Sequence, residues 1–215
     1  MARQRSQRIF LLSPAYAGGE RARMIMNERA QFPLARQLRS ETGATIAEVF
    51  TFLSGLYFRG KIAYAATFAR ARNGSSGVLV ITPTRGLVDA TTRIGLADLR
   101  EFAEVDVELT NPRYRRPLER HTRRLAKSLS PKCEVILLGS VASKKYVEVL
   151  LAHLGDQLRF PGDFVGRGDM SRGGLLLRCA ADGRELPYIS IAGAILHGKR
   201  PPKLEPRRYA KNSPI

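Results

Sequence analysis

Apolar residues along the chain follow two patterns. Ile9 to Ser13, Gly77 to Thr82 and Cys133 to Leu138 are short continuous runs rich in Val, Ile and Leu, bounded by turn residues. Runs without polar alternation belong to strands covered on both faces of a parallel sheet. Between them the spacing turns helical. Glu20 to Arg70 has room for two or three helices, and Thr45-Ile46-Ala47-Glu48 has the form of a capping box. Tyr114, Leu118, His121, Leu125 and Leu129 fall on one helical face, with Pro117 expected in the first turn. Val147, Leu150, Leu151 and Leu154 make a further stripe that Gly155 ends as a C-cap. Strand, helix, strand, helix order predicts the α/β class: a three-layer sandwich around a mainly parallel sheet of about four strands, joined by right-handed crossovers.

Leu158 to Phe160 reads as the fourth strand. Gly174 to Cys179 and Leu186 to Ile191 flank Asp182-Gly183, which predicts a C-terminal β-hairpin. Beyond Gly198, Lys199, Arg200, Lys203, Arg207, Arg208 and Lys211 face Glu205 alone among scattered prolines, the composition of an extended tail. The expected organisation is a basic arm over residues 1–8, a single α/β domain over 9–196 and a basic, Pro-rich tail over 197–215.

Charge adds a partner to this outline. The 215 residues carry 36 Lys+Arg against 19 Asp+Glu, a net +17, which suits a polyanion. Arg3, Arg5, Arg8 and the tail account for less than half of it. Arg113, Arg115, Arg116, Arg120, Arg123, Arg124 and Lys127 crowd one expected helix with Glu119 the only acid. Like charges at such spacing oppose helix formation, so the cluster reads as a surface for a nucleic-acid backbone or as a solvated face. DNA or RNA is the expected partner. Aromatic residues are 7% with no Trp, which argues against a stacking platform for single strands, and zinc-finger or aromatic RNA-recognition spacing is missing. Cys133 and Cys179 are too few for a disulfide framework or a closed zinc site and read as small buried hydrophobes. No apolar run approaches the ~18 residues of a membrane span. Ile9 to Leu12 is too short for a signal peptide, and an acid-free, Arg-bearing start fits a transit peptide only weakly. The expected location is the cytoplasm.

Ligands of open parallel sheets bind beyond the carboxyl ends of the strands. Those ends run into Ser13 to Gly19, Thr82 to Gly86, Gly139 to Lys145 and Pro161-Gly162-Asp163, four small-residue loops expected to enclose one cleft. Ser13, Tyr16, Arg85, Ser140, Lys144 and Lys145 are its candidate ligand residues. Lys144 and Lys145 are expected in the first turn of a helix, where backbone N–H groups attract phosphate; the alternative is a plain turn capped by Ser140 or Ser143. Neither a Walker loop nor a hydrolase nucleophile elbow is present. Phe164 to Gly174 carries four glycines, with Arg167 and Arg172 for anion recognition and Asp163 and Asp169 as candidate bases. Its alternative is a structural loop stitched by Arg–Asp pairs. Ser54 to Lys61 opens a helix from which Lys61 or Tyr57 could reach the cleft, against a reading of aromatic core plus surface lysine. His121, His153 and His197 have no ligand spacing, so neither a metal nor a cofactor is called for.

Ser54 to Lys61 and Phe164 to Arg178 resemble segments of a bacterial family of conserved hypothetical proteins, a resemblance that implies no activity. More remotely, Gly77 to Ile81 before a helix, followed by Val135 to Lys145, resembles the uracil-DNA glycosylase superfamily and implies its four-stranded parallel sheet. Two of that superfamily's motifs are missing: no acid follows the first strand before Glu20, and Pro161-Gly162-Asp163 stands near where a His-Pro-Ser motif belongs. The same order of elements looks like the core of archaeosine synthase, a tRNA base-modifying enzyme. The reading is a nucleic-acid-binding enzyme acting on a base or nucleoside, with Asp163, Asp169 and Lys61 as its catalytic candidates. Its alternatives are a non-catalytic nucleic-acid binder and an enzyme of small phosphorylated metabolites.

Overall fold

The computed structural model describes residues 7–71, 76–142, 144–194, 198–199, 201–202 and 204–205. The elements run β1 (Arg8–Leu12), α1 (Glu20–Met26), α2 (Pro33–Arg39), β2 (Ala44–Thr45), α3 (Ile46–Ser54), α4 (Leu56–Phe68), β3 (Val78–Thr82), β4 (Gly86–Asp89) and β5 (Arg93–Ile94). They continue with α5 (Leu96–Ala103), α6 (Pro112–Ser128), β6 (Glu134–Leu138), α7 (Val147–Leu154), β7 (Leu158–Pro161), α8 (Asp169–Ala181) and β8 (Tyr188–Ser190).

The main sheet has the order β4-β3-β1-β6-β7-β8. Its four central strands are parallel, three of them the expected continuous apolar runs and the fourth the expected strand from Leu158, while β4 and β8 join the edges antiparallel. All five residues of β1 are buried. Successive side chains of a strand point to opposite faces, so both faces of the sheet are covered there. β2 and β5 form a small second, antiparallel sheet. Among the described residues no helix is long and apolar enough to cross a membrane.

The capping box forms as expected: Thr45 accepts from the Glu48 amide at 3.2 Å, and the Glu48 carboxylate accepts from the Thr45 amide at 2.8 Å. Other expectations are corrected. The stretch from Glu20 to Arg70 holds four helices and β2. Pro117 lies inside α6; Pro112 takes the first helical position, behind Asn111 as N-cap. The C-terminal hairpin is not formed, because Gly174 to Cys179 lies within α8 and β8 pairs with β7. Leu175, Leu176 and Cys179 are spaced to bury one helical face as readily as a strand, and Asp182-Gly183 ends that helix instead of turning a hairpin. Arg8 belongs to β1 and not to an arm: it is buried and paired with Glu134 and Glu185. The rest of the expected arm up to Ser6, Ser143, His197 and the tail from residue 206 lie outside the described residues. Of the described tail residues, Pro202 accepts from Arg167 at 3.4 Å and Leu204 approaches Gly174.

Two glycines fix how α4 meets α8. A Cβ on Gly60 would stand 2.6 Å from the Gly173 carbonyl oxygen, and one on Gly173 would stand 2.8 Å from both the Leu56 oxygen and the Tyr57 Cα. Only bare backbone fits on either side. Gly173 is unfavourable in an isolated helix by about 1 kcal/mol relative to Ala, and close packing of the two helices overrides that preference.

Candidate functional site

The chain leaves β1 for β3 on one side and later returns past it to β6 on the other, so the carboxyl ends of β1 and β6 flank a topological switch point. Crevices form where strand order reverses in this way. A cleft of 230 Å³ opens there, lined by Ser13, Pro14, Ala15 and Tyr16 after β1 and by Ser140, Lys145 and Tyr146 after β6. Tyr57 of α4, Val107 and Asp169 of α8 complete it. Pockets for drug-sized ligands run from about 300 Å³ upward, so this one suits a group the size of a single ring. A second hollow of 260 Å³ shares Tyr16, Val107 and Lys145 with it. Tyr16 stands on the ridge between the two with 74% of its surface exposed.

Lys61 is the unexpected residue of the site. Its side chain is 1% exposed, and Nζ donates to the Ser13 carbonyl oxygen at 2.8 Å and to Ser13 Oγ at 3.0 Å. The Tyr57 and Phe58 rings flank the amine, their centroids at 4.7 and 4.5 Å. Burial pulls the Lys61 amine down to about 7, with the Asp169 carboxylate working the other way. Both charge states are therefore populated near neutral pH.

Two phenols stand beside this pair, and a third lies near one of them. The Tyr57 hydroxyl is buried without a hydrogen-bond partner. Burial pushes it well above its ordinary value, while the Arg172 guanidinium pulls it back. Tyr146 donates to the Ser140 carbonyl oxygen at 3.0 Å; burial raises it to about 12 and contact with Ser13 opposes the rise. Gly139 leaves room for both neighbours, since a Cβ there would lie 2.8 Å from Ser13 Cβ and from the Tyr146 hydroxyl oxygen. The Tyr114 hydroxyl in α6 is also buried and unpartnered, and is raised by burial and by Tyr146.

The structure sorts the residues singled out in the sequence. Ser13, Tyr16, Ser140, Lys145 and Asp169 meet in the cleft, with Lys61 directly behind Ser13. Lys145 also pairs with Glu108 at 2.7 Å. Lys61, by contrast, is no surface residue. Asp163 is exposed in a short 3-10 turn, where its carbonyl accepts from Arg167 Nε at 3.0 Å, and it does not line the cleft. Arg167 also reaches Ser171 Oγ at 3.2 Å, so it stitches backbone together. Arg172 donates to the Phe164 carbonyl at 3.1 Å and lies 3.5 Å from Asp169. Arg85 is held by Asp98 and Glu101 over the Phe102 ring, because its loop is a tight β3–β4 turn and not a cleft wall. Lys144 is exposed in a turn before α7, whose N-cap is Tyr146, so the two lysines do not sit in a helical first turn. The glycine-rich stretch is no covering loop either: from Asp169 onward it is α8.

Along α6, Tyr114, Leu118 and Thr122 face inward. Arg113, Arg115, Arg116, Arg120, Arg123 and Arg124 are exposed. Arg115 and Arg123 share Glu119 at 3.9 and 2.9 Å, and Arg113 lies 3.7 Å from Glu104. His121 Nδ1 lies 3.1 Å from the Leu87 carbonyl and His153 Nε2 lies 3.8 Å from Glu119. Both cysteines are buried and free, and among the described residues no His, Cys, Asp or Glu cluster is placed to hold a metal ion.

Tyr146 is not singled out in the sequence, where Lys61 reads as a residue reaching the cleft or on the surface, not as a buried amine. The signal for Lys61 was present: Tyr57, Lys61, Tyr64, Ala65 and Phe68 recur at helical spacing, which puts the lysine on the apolar stripe of α4. No protein-family model matches the chain, and no curated protein or solved structure matches it either.

Proposed function

We propose that the protein is a cytoplasmic nucleic-acid-binding enzyme that holds one base or nucleoside of DNA or RNA in the switch-point cleft. The observation that carries this reading is the concentration of aromatic side chains at a ring-sized site: three of the seven tyrosines, Tyr16, Tyr57 and Tyr146, line it. An extruded base is held by stacking on aromatic faces and by polar groups at its edge, a role open to Ser13, Ser140 and Asp169. The basic helix supports the same reading. Val107 and Glu108, which lead toward α6, border the cleft or its neighbour, and Tyr114 in the first turns of α6 is close to Tyr146. Phosphates along α6 would thus bring a strand past the cleft mouth. The three-layer arrangement and the glycosylase-like or base-modifying resemblance belong to this proposal, and two free buried cysteines are in keeping with a reducing compartment.

Tyr16 gives the test. A stacked base contributes about 1–3 kcal/mol, so Tyr16→Ala is expected to weaken binding of a short oligonucleotide by about 5-fold or more at fixed salt while leaving the melting temperature unchanged. Equal affinity in wild type and variant would take the base out of the cleft. Catalysis is read separately, by mass spectrometry of nucleosides digested from treated DNA and RNA; unaltered nucleosides across broad pools would leave binding without chemistry.

A further inference from the structure

We propose that Ser13 is a catalytic nucleophile for carbonyl carbons, with Lys61 as its proton acceptor and Tyr57 as the hydrogen-bond donor to the carbonyl oxygen. The observations are geometric. Ser13 lines the cleft with 7% of its surface exposed, and Lys61 Nζ stands 3.0 Å from its Oγ with no other side chain as hydrogen-bond partner among the described residues. Tyr57 lines the same cleft with 6% of its surface exposed, and its hydroxyl, buried just behind that surface, has no hydrogen-bond partner in the protein. A buried donor left unpaired is destabilising, a cost that an acceptor on a ligand would remove. A serine is a weak nucleophile until a neighbouring base takes its proton, and a lysine serves when it is desolvated, as Lys61 is here.

The cycle balances without an oxidant or reductant. Oγ adds to the carbonyl carbon of an ester or amide as its proton passes to the unprotonated Nζ, and the carbonyl oxygen accepts from the Tyr57 hydroxyl. The bond from carbon to the alcohol or amine breaks, and that leaving group carries away the proton from Nζ. Water then adds to the acyl carbon and gives a proton to Nζ. The bond from Oγ to carbon breaks, the proton returns to Oγ, and a carboxylic acid leaves. For its substrate the proposal rests on the preceding reading, in which the cleft receives a nucleoside and the carbonyl is an acyl or amide group that nucleoside bears; the chemistry of the centre does not depend on it.

The test uses the full chain without nucleic acid, so its failure is distinguishable from failure of that reading. The protein is incubated with a fluorophosphonate and, separately, with p-nitrophenyl acetate, and intact mass and peptide mapping locate any adduct. One adduct per chain at Ser13 is expected, lost in Ser13→Ala and formed at least 10-fold more slowly in Tyr57→Phe. Lys61 acts through Ser13, so its arm is a pH profile: the wild-type labelling rate is expected to rise about 10-fold per pH unit below 7 and level off above it, following the amine. Lys61→Met is expected to remove that dependence together with at least 100-fold of the rate. Adducts elsewhere, no adduct at Ser13, or a Ser13 labelling rate with no inflection near neutral pH would each overturn the assignment, even if Lys61→Met failed to fold.

Discussion

A single lysine carries the most testable physics in the molecule. Lys61 lies behind Ser13 between two aromatic rings, where burial favours the neutral amine and the Asp169 carboxylate recovers only part of the lost hydration. Folded, its proton leaves at about 7, while the ordinary lysine value that applies to the unfolded chain is 10.5. Between those two values the unfolded state binds more protons than the folded one, so this residue makes the protein more stable as pH rises through that window. Below pH 7 both states are protonated and the contribution is flat at its least favourable. Urea denaturation of wild type and Lys61→Met at each pH from 6 to 10 isolates the effect, because other titrating groups cancel in the difference. The stability of wild type relative to the variant is expected to climb by up to about 1.4 kcal/mol per pH unit from 7 to 10 and to stay level below 7. A difference that stays flat over the whole range would mean that the folded protein keeps Lys61 charged.

At the level of elements, α4 and α8 decide whether the site exists, since one brings Tyr57 and Lys61 and the other Asp169 and Arg172. Their contact depends on glycine at two facing positions, Gly60 and Gly173. Gly60→Ala and Gly173→Ala are each expected to cost about 1–3 kcal/mol, because the added methyl meets backbone that cannot turn aside. For a chain of this size that is a fall of about 3–10 °C in melting temperature. Gly174→Ala is the contrast: its Cβ would meet only Leu204 at 3.5 Å, so a neutral or slightly stabilising change is expected. Equal melting temperatures for the alanines at 173 and 174 would show that the helices can separate at no cost. The same pair marks how far the sequence could be read. Three of the four parallel strands were legible because short continuous apolar runs bounded by turn residues suit a sheet covered on both faces, and Gly155 as the end of α7 was legible because a C-cap is local chemistry. Glycine-rich α8 was not, because its helicity comes from a partner 113 positions away in sequence, Gly60, and no local pattern records that contact. Of the site, the strand-end loops of β1 and β6 were legible from their position alone, whereas the loop after β3 closed into a hairpin whose antiparallel partner β4 carries no turn signal stronger than Gly86.

Across the whole molecule, the net charge of +17 is sorted by the fold into spent and unspent parts. Arg8 is consumed by Glu134 and Glu185, Arg85 by Asp98 and Glu101, and Arg167 and Arg172 by backbone carbonyls. Arg116, Arg120 and Arg124 are different: they are exposed on α6, and among the described residues their side chains have neither an ion pair nor a hydrogen bond. Arg115 and Arg123 are bound only by exposed pairs with Glu119, a kind of contact that contributes little and yields readily to a phosphate. If α6 tracks a nucleic-acid backbone, each arginine on a phosphate releases condensed counterion, and the logarithm of affinity falls with the logarithm of salt by about 0.9 per contact on a duplex. Replacing Arg116, Arg120 and Arg124 together by Ala is therefore expected to flatten the salt dependence of duplex binding by about 2–3 in slope and to weaken binding most at low salt. The melting temperature should hold or rise, since the three like charges repel one another along the helix. Arg85→Ala is the internal control, expected to leave the slope unchanged because that guanidinium is already neutralised within the fold. A triple variant with the wild-type slope would remove α6 from the interface and assign the salt dependence to the basic ends of the chain.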